Sequence, residues 1–94
     1  MAKLSNEQVS ERLNGLEGWQ FKDNAIRKLY RFKEFMDGIR FIGRVAEMAE
    51  AADHHPDIDI RYAKVTLALV THDAGGLTRR DSDLAEKAEG LAAT

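Results

Sequence analysis

The chain has 94 residues, a length that buries only about 60 to 65% of the unfolded surface and supports one small domain, residues 1–94, rather than two cores. Apolar residues make up 44% and charged residues 32%, which excludes a disordered chain, and a net charge of -2 with both signs interspersed argues against a nucleic-acid face. The absence of cysteine removes disulfides, thiolate nucleophiles and Cys-type zinc sites, and no apolar run has signal or membrane-spanning length, so a cytoplasmic protein without membrane contact is expected.

Ser5 and Gln8 are spaced as a capping box, with Leu4 and Val9 at the staple positions, so the first helix begins at Ser5. Its apolar stripe is Val9, Leu13 and Leu16, and Asn14-Gly15 and Gly18 place its end between Asn14 and Glu17. Trp19 and Phe21 then alternate with Gln20 and Lys22. Asp23-Asn24 reads as a turn, and Ala25 to Phe32 returns as a second strand with Ile26, Tyr30 and Phe32 on one face, interrupted by Lys28.

From Phe35 to Ala52 the period becomes helical, with two neighbouring apolar stripes. One holds Phe35, Ile39, Ile42, Ala46 and Ala49; the other holds Phe41, Val45, Met48 and Ala52. A helix lying on a sheet needs one stripe, so the second packs on another subunit or marks deeper burial within the same domain. Pro56 biases His55 toward extended geometry and ends the helix near Asp53 or His54, which puts Glu50 one turn before His54.

Ile58, Ile60 and Tyr62 alternate with Asp57, Asp59 and Arg61 as a third strand. After a turn near Ala63, Val65 to Thr71 forms a fourth, with His72 on the face of Thr66, Ala68 and Val70. Gly75-Gly76 breaks the chain, and Thr78 to Asp81 is a second capping box, opening a helix with Leu84, Ala88 and Leu91 on one stripe. The order α-β-β-α-β-β-α, with short connections inside each strand pair, predicts an α+β fold with one antiparallel sheet.

All three histidines fall at the ends of regular elements: His54 and His55 before Pro56, and His72 after the apolar run Val65 to Val70. They can be polar residues facing water, metal ligands, or proton-transfer and orienting groups of a metal-free site. Zinc sites place ligands at spacings that aim the rings at one point, such as four apart on a helix, and that spacing is missing here. Histidine titrates near neutrality, so one ring can act as base while another acts as acid, the pairing a dehydration needs. Glu50 or Asp53 is placed to orient one imidazole.

The run Glu50-x-x-x-His54-His55-Pro56, with Tyr62, Lys64-Val65, Thr71-His72 and Leu77-Thr78-x-x-Asp81, resembles the pterin-4a-carbinolamine dehydratases. The likeness extends upstream through Gly18-Trp19, Tyr30-Arg31-Phe32 and the Phe41 to Ala49 helix. It implies a four-stranded antiparallel sheet with three helices on one face, assembled as a homodimer or homotetramer. It also implies loss of water from a 4a-hydroxytetrahydropterin without metal or organic cofactor, the pterin being the substrate. Carried onto this chain, His54 and His72 exchange protons with the pterin N5 and the 4a-hydroxyl, and His55 binds and orients the ring. Glu50, Asp53, Thr71 and Trp19 are further candidates for substrate contact, Trp19 as core or pocket wall before stacking partner. Asp81 also matches the family, and a helix cap accounts for it. Ile58 stands where the family commonly has an aromatic residue. The resemblance leaves a second reading, a non-catalytic interaction or assembly module on the same fold, served by the wide helix face or the open sheet.

Overall fold

Three helices begin where the chain supplies a cap, and the structure, a computed structural model, describes residues 2–93. Helix α1 (Asn6–Leu13) opens on the Ser5–Gln8 capping box, in which each side chain accepts the other residue's backbone N–H. It stops at Asn14, so Leu16 reaches the core from the following turn. Strands β1 (Gln20–Lys22) and β2 (Ala25–Arg31) are joined by Asp23 and Asn24, whose φ values of 53° and 64° give the mirror-image turn that matches strand twist. Helix α2 (Phe35–Ala52) is followed by β3 (Asp57–Arg61), β4 (Lys64–Leu69), a 3-10 turn (His72–Ala74) and α3 (Arg79–Ala92).

The four strands form one antiparallel sheet in the order β1-β2-β4-β3. Register puts Tyr30, Val65 and Ile60 in one row and Lys28, Leu67 and Ile58 in the next, all pointing to the same face. That face meets Val9 of α1, Phe41 and Val45 of α2, and Leu84, Ala85 and Ala88 of α3 in a single core. Each large apolar side chain so buried contributes roughly 1.5–3 kcal/mol. The opposite face carries Arg27, Leu29, Arg31, Asp57 and Asp59 and is exposed.

Of the two stripes on α2, the one holding Phe41 and Val45 faces the core. On the other, Ala49 is buried and Ile42 packs partly against the core, while Phe35, Ile39 and Ala46 remain exposed, as does the neighbouring Met36. Two boundaries differ from the sequence reading. Tyr62, with φ 54°, belongs to the turn between β3 and β4 rather than to a strand. Strand β4 ends at Leu69, and His72 lies in the 3-10 turn instead of on the strand face, because Thr71 bridges back to Gly76 and the intervening four residues must reverse direction.

Candidate functional site

The end of α2 sets the site. Asp53 takes the left-handed conformation (φ 50°), and its N–H and that of His54 close on the carbonyls of Glu50 and Ala49, at 3.2 and 3.1 Å. This is the Schellman pattern, in which the residue after the left-handed position folds back against the helix's last turns. That residue is His54, and its ring is carried inward and buried. Pro56 turns the chain into β3, so His55 diverges from its neighbour and stays exposed.

The two adjacent imidazoles therefore find different partners. His54 Nε2 lies 2.6 Å from Asp81 Oδ1, on the first turn of α3, a contact spanning 27 residues of sequence. Asp81 is fully buried, and its other oxygen, Oδ2, accepts from the Thr78 N–H at 2.9 Å and the Thr71 hydroxyl at 2.8 Å. The Thr71 and Thr78 hydroxyls are 2.8 Å apart, and Thr78 Oγ1 accepts the Arg80 N–H. His55 Nε2 instead meets Glu50 Oε1 at 2.5 Å in an exposed pair. The expected position of Glu50, one turn before His54, places it beside His55 because His54 has turned inward.

His72 comes to the same place from the other direction. The Thr71–Gly76 bridge holds the 3-10 turn at the end of β4, and the His72 ring is exposed and hydrogen-bonds no side chain among the described residues. All three histidines line one open cleft of about 220 Å³, together with Asp53 and Thr71. Val70, Asp73 and Arg80 complete its wall. Those three escaped the sequence reading; for Arg80 the signal was available, since it precedes the buried Asp81 in the first turn of α3. A larger open groove of about 720 Å³ runs along α1 and Phe21, but it contains no histidine. Among the described residues no group of three or more His, Asp or Glu side chains is arranged to hold a metal ion.

Trp19 and Ile58 do not line the cleft. Trp19 is buried in the core, its indole N–H donating to Glu89 Oε1 at 2.8 Å, and Ile58 sits on the edge strand β3. Glu50 stands behind His55 rather than on the wall. Asp81 is the residue whose position the sequence understated: it caps α3 and also grips His54.

A three-helix, four-stranded α+β domain with histidines from two separate segments at one cleft defines the class of protein. Residues 2–91 match the family described as Pterin 4 alpha carbinolamine dehydratase, and the chain belongs to that family. A relative from Mycobacterium avium, named provisionally as a pterin-4-alpha-carbinolamine dehydratase, is 50% identical over 91 residues, covering 97% of each chain. One of the same provisional name from Acidobacterium capsulatum is 52% identical over 91 residues, covering 97% of this chain and 99% of its own. Among solved structures, a transcriptional coactivator/pterin dehydratase from Brucella melitensis superposes with a TM-score of 0.92 at 35% identity, covering 96% and 98% of the two chains. A pterin dehydratase-like protein described as a RuBisCO assembly factor in the alpha-carboxysome shares the fold, with a TM-score of 0.67 at 21% identity over 81% of this chain and 88% of its own.

Proposed function

We propose that the cleft removes water from a 4a-hydroxytetrahydropterin to give the quinonoid dihydropterin, as a step of pterin recycling. The observation that carries this reading is the meeting of His54, His55 and His72 at one cleft in a chain of this family. A base takes the proton from N5, the N5–C4a double bond forms, the C4a–O bond breaks, and an acid protonates the departing hydroxyl. Water leaves and no electrons are exchanged, so the reaction as written uses no metal or organic cofactor. His54 and His72 are the proton-exchanging pair, each assistance being worth roughly 10² to 10⁴ in rate. His55, held by Glu50, binds and orients the ring. Asp53 and Arg80 offer polar contacts at the rim, while Thr71, its hydroxyl committed to Asp81, contributes wall. The cleft's 220 Å³ is below the roughly 300–1,000 Å³ of pockets for drug-sized ligands, a size that suits a small flat bicycle.

The test is dehydration of a synthetic 4a-hydroxytetrahydropterin followed by stopped flow. His72→Ala is expected to keep the fold and to slow the reaction at least about a hundredfold, the lower bound for one acid or base. A variant as fast as the parent removes His72 from the mechanism. Chelator treatment is expected to leave the rate unchanged; a loss restored by zinc would favour a metal-assisted route.

A second, compatible reading concerns assembly. Phe35 and Tyr62 stack at 6.4 Å and 13°, both exposed, beside exposed Met36 and Ile39. We infer that this stripe of α2 packs on a second copy of the chain. Light scattering is expected to report a dimer or tetramer, with Ile39→Glu reducing its size; a monomeric parent ends that reading and returns the patch to the interaction-module alternative.

A further inference from the structure

Asp81 has two oxygens, and the structure gives them separate duties. Oδ2 accepts the Thr78 N–H and the Thr71 hydroxyl, which are the bonds of a helix cap and its neighbour. Oδ1 receives nothing from the cap and faces His54 Nε2 at 2.6 Å. An ionised carboxylate accepts hydrogen bonds and donates none. The hydroxyl chain agrees with that state: Thr71 has one proton and gives it to Oδ2, so the 2.8 Å contact between the two threonine oxygens must use the proton of Thr78. Thr78 in turn accepts from the Arg80 N–H, and every member of the network points its donors toward the buried acid. With Asp81 ionised, the proton of the 2.6 Å contact belongs to Nε2 of His54.

The other ring nitrogen has a different environment. Nδ1 of His54 makes no hydrogen bond to the described residues, and it is not a buried atom without a partner, since the Tyr30 hydroxyl is the one such atom among them. Nδ1 thus reaches solvent, in a residue that lines the cleft. We propose that Asp81 is a positioning residue that fixes His54 in the Nε2–H tautomer, so that Nδ1 is the nitrogen that exchanges a proton with the substrate. A buried carboxylate behind an imidazole sets tautomer and ring orientation without itself being protonated. The role of Nδ1 rests on the dehydratase reading above; the tautomer does not.

The structure also indicates how to separate cap from chemistry. In Asp81→Asn the amide oxygen can occupy the Oδ2 position and keep both cap bonds, which leaves the NH2 group at the Oδ1 position, donating toward His54 Nε2. Such a ring can accept there only by moving its proton to Nδ1. The change is isosteric, and its effect on the tautomer is a full inversion.

Long-range proton–nitrogen NMR correlation on the parent protein, recorded without substrate over a range of pH, reads the tautomer directly. Nε2 is expected to keep its proton throughout, with Nδ1 losing its own as pH rises. An Nδ1–H tautomer, a mixture, or a ring doubly protonated at every pH overturns the proposal without any kinetic measurement. In Asp81→Asn the spectrum is expected to invert, the denaturation midpoint to stay near that of the parent, and kcat to fall at least about a hundredfold with KM changed only a few-fold. An inverted tautomer with full kcat overturns the functional half of the proposal. A variant that unfolds leaves the decision to the parent spectrum. A parent with the expected spectrum that does not dehydrate the pterin overturns the dehydratase reading instead, and with it the role of Nδ1.

Discussion

Two carboxylates eight residues apart on α3 make nearly the same contact and serve different ends. Asp81 receives the ring nitrogen of His54 at 2.6 Å, and Glu89 receives the indole N–H of Trp19 at 2.8 Å. Glu89 is partly exposed and also holds Lys28 at 2.5 Å, whose ammonium lies 4.7 Å from the centre of the Tyr30 ring and bonds the Glu17 carbonyl at 2.8 Å. Its charge is neutralised on the spot, and the indole has no second nitrogen with which to do anything else. Asp81 is buried, pairs with no Lys or Arg among the described residues, and grips the ring of a residue that lines the cleft. An acid holding an aromatic N–H becomes a chemical device only when the ring can exchange a proton on its far side. Otherwise it is a clasp, here between the residue before β1 and α3.

The sharpest way to break this contrast is complete removal of each acid. Asp81→Ala strands the Thr78 N–H, the Thr71 hydroxyl and His54 in the interior. Loss of a cap costs about 0.5–2 kcal/mol and each buried unsatisfied group about 1–3, so a loss of about 3 kcal/mol is expected by urea denaturation. Glu89→Ala, at a site water can reach, is expected to cost about 1–2 kcal/mol and to leave dehydration unchanged. Equal costs for the two, or a fall in rate for Glu89→Ala, would erase the distinction.

A milder test uses pH. Burial first, and the nearby Glu89 charge second, push the Tyr30 hydroxyl well above the ordinary tyrosine range. The folded state therefore holds this proton more tightly than the unfolded chain, whose tyrosines titrate near about 10. Between those values the unfolded state binds fewer protons, so stability falls as pH rises. Denaturation at pH 7 and at about pH 10.5 is expected to show a loss in the parent that Tyr30→Phe reduces; an equal loss in both would place the effect elsewhere.

The smallest effect belongs to the exposed pair. Glu50→Gln is expected to change stability by no more than about 0.5 kcal/mol, as for other solvent-exposed ion pairs, while raising KM through a less restrained His55. An unchanged KM would leave Glu50 without a part in binding.

Local signals accounted for much of this molecule. Both capping boxes, the Asp23-Asn24 turn and the full span of α2 follow from spacings of a few residues, because caps and turns are satisfied within their own segment. The candidate site was half legible: His54, His55 and His72 stand out as histidines at element ends, and Asp81 as a cap. What those signals do not contain is any contact across the fold. They could not tell which stripe of α2 meets the sheet, that Lys28 on an apolar face finds Glu89, or that His54 turns in while His55 turns out.

By itself, then, the sequence determined the elements, their order, the α+β class and the set of residues able to carry protons, since each depends on periodicity or chemistry within one stretch of chain. Tertiary structure alone decided how those residues divide their work. A cleft bounded by the end of α2, the turn after β4 and the first turn of α3, and a carboxylate shared between a helix cap and an imidazole 27 positions away, exist only once the sheet has brought distant segments together.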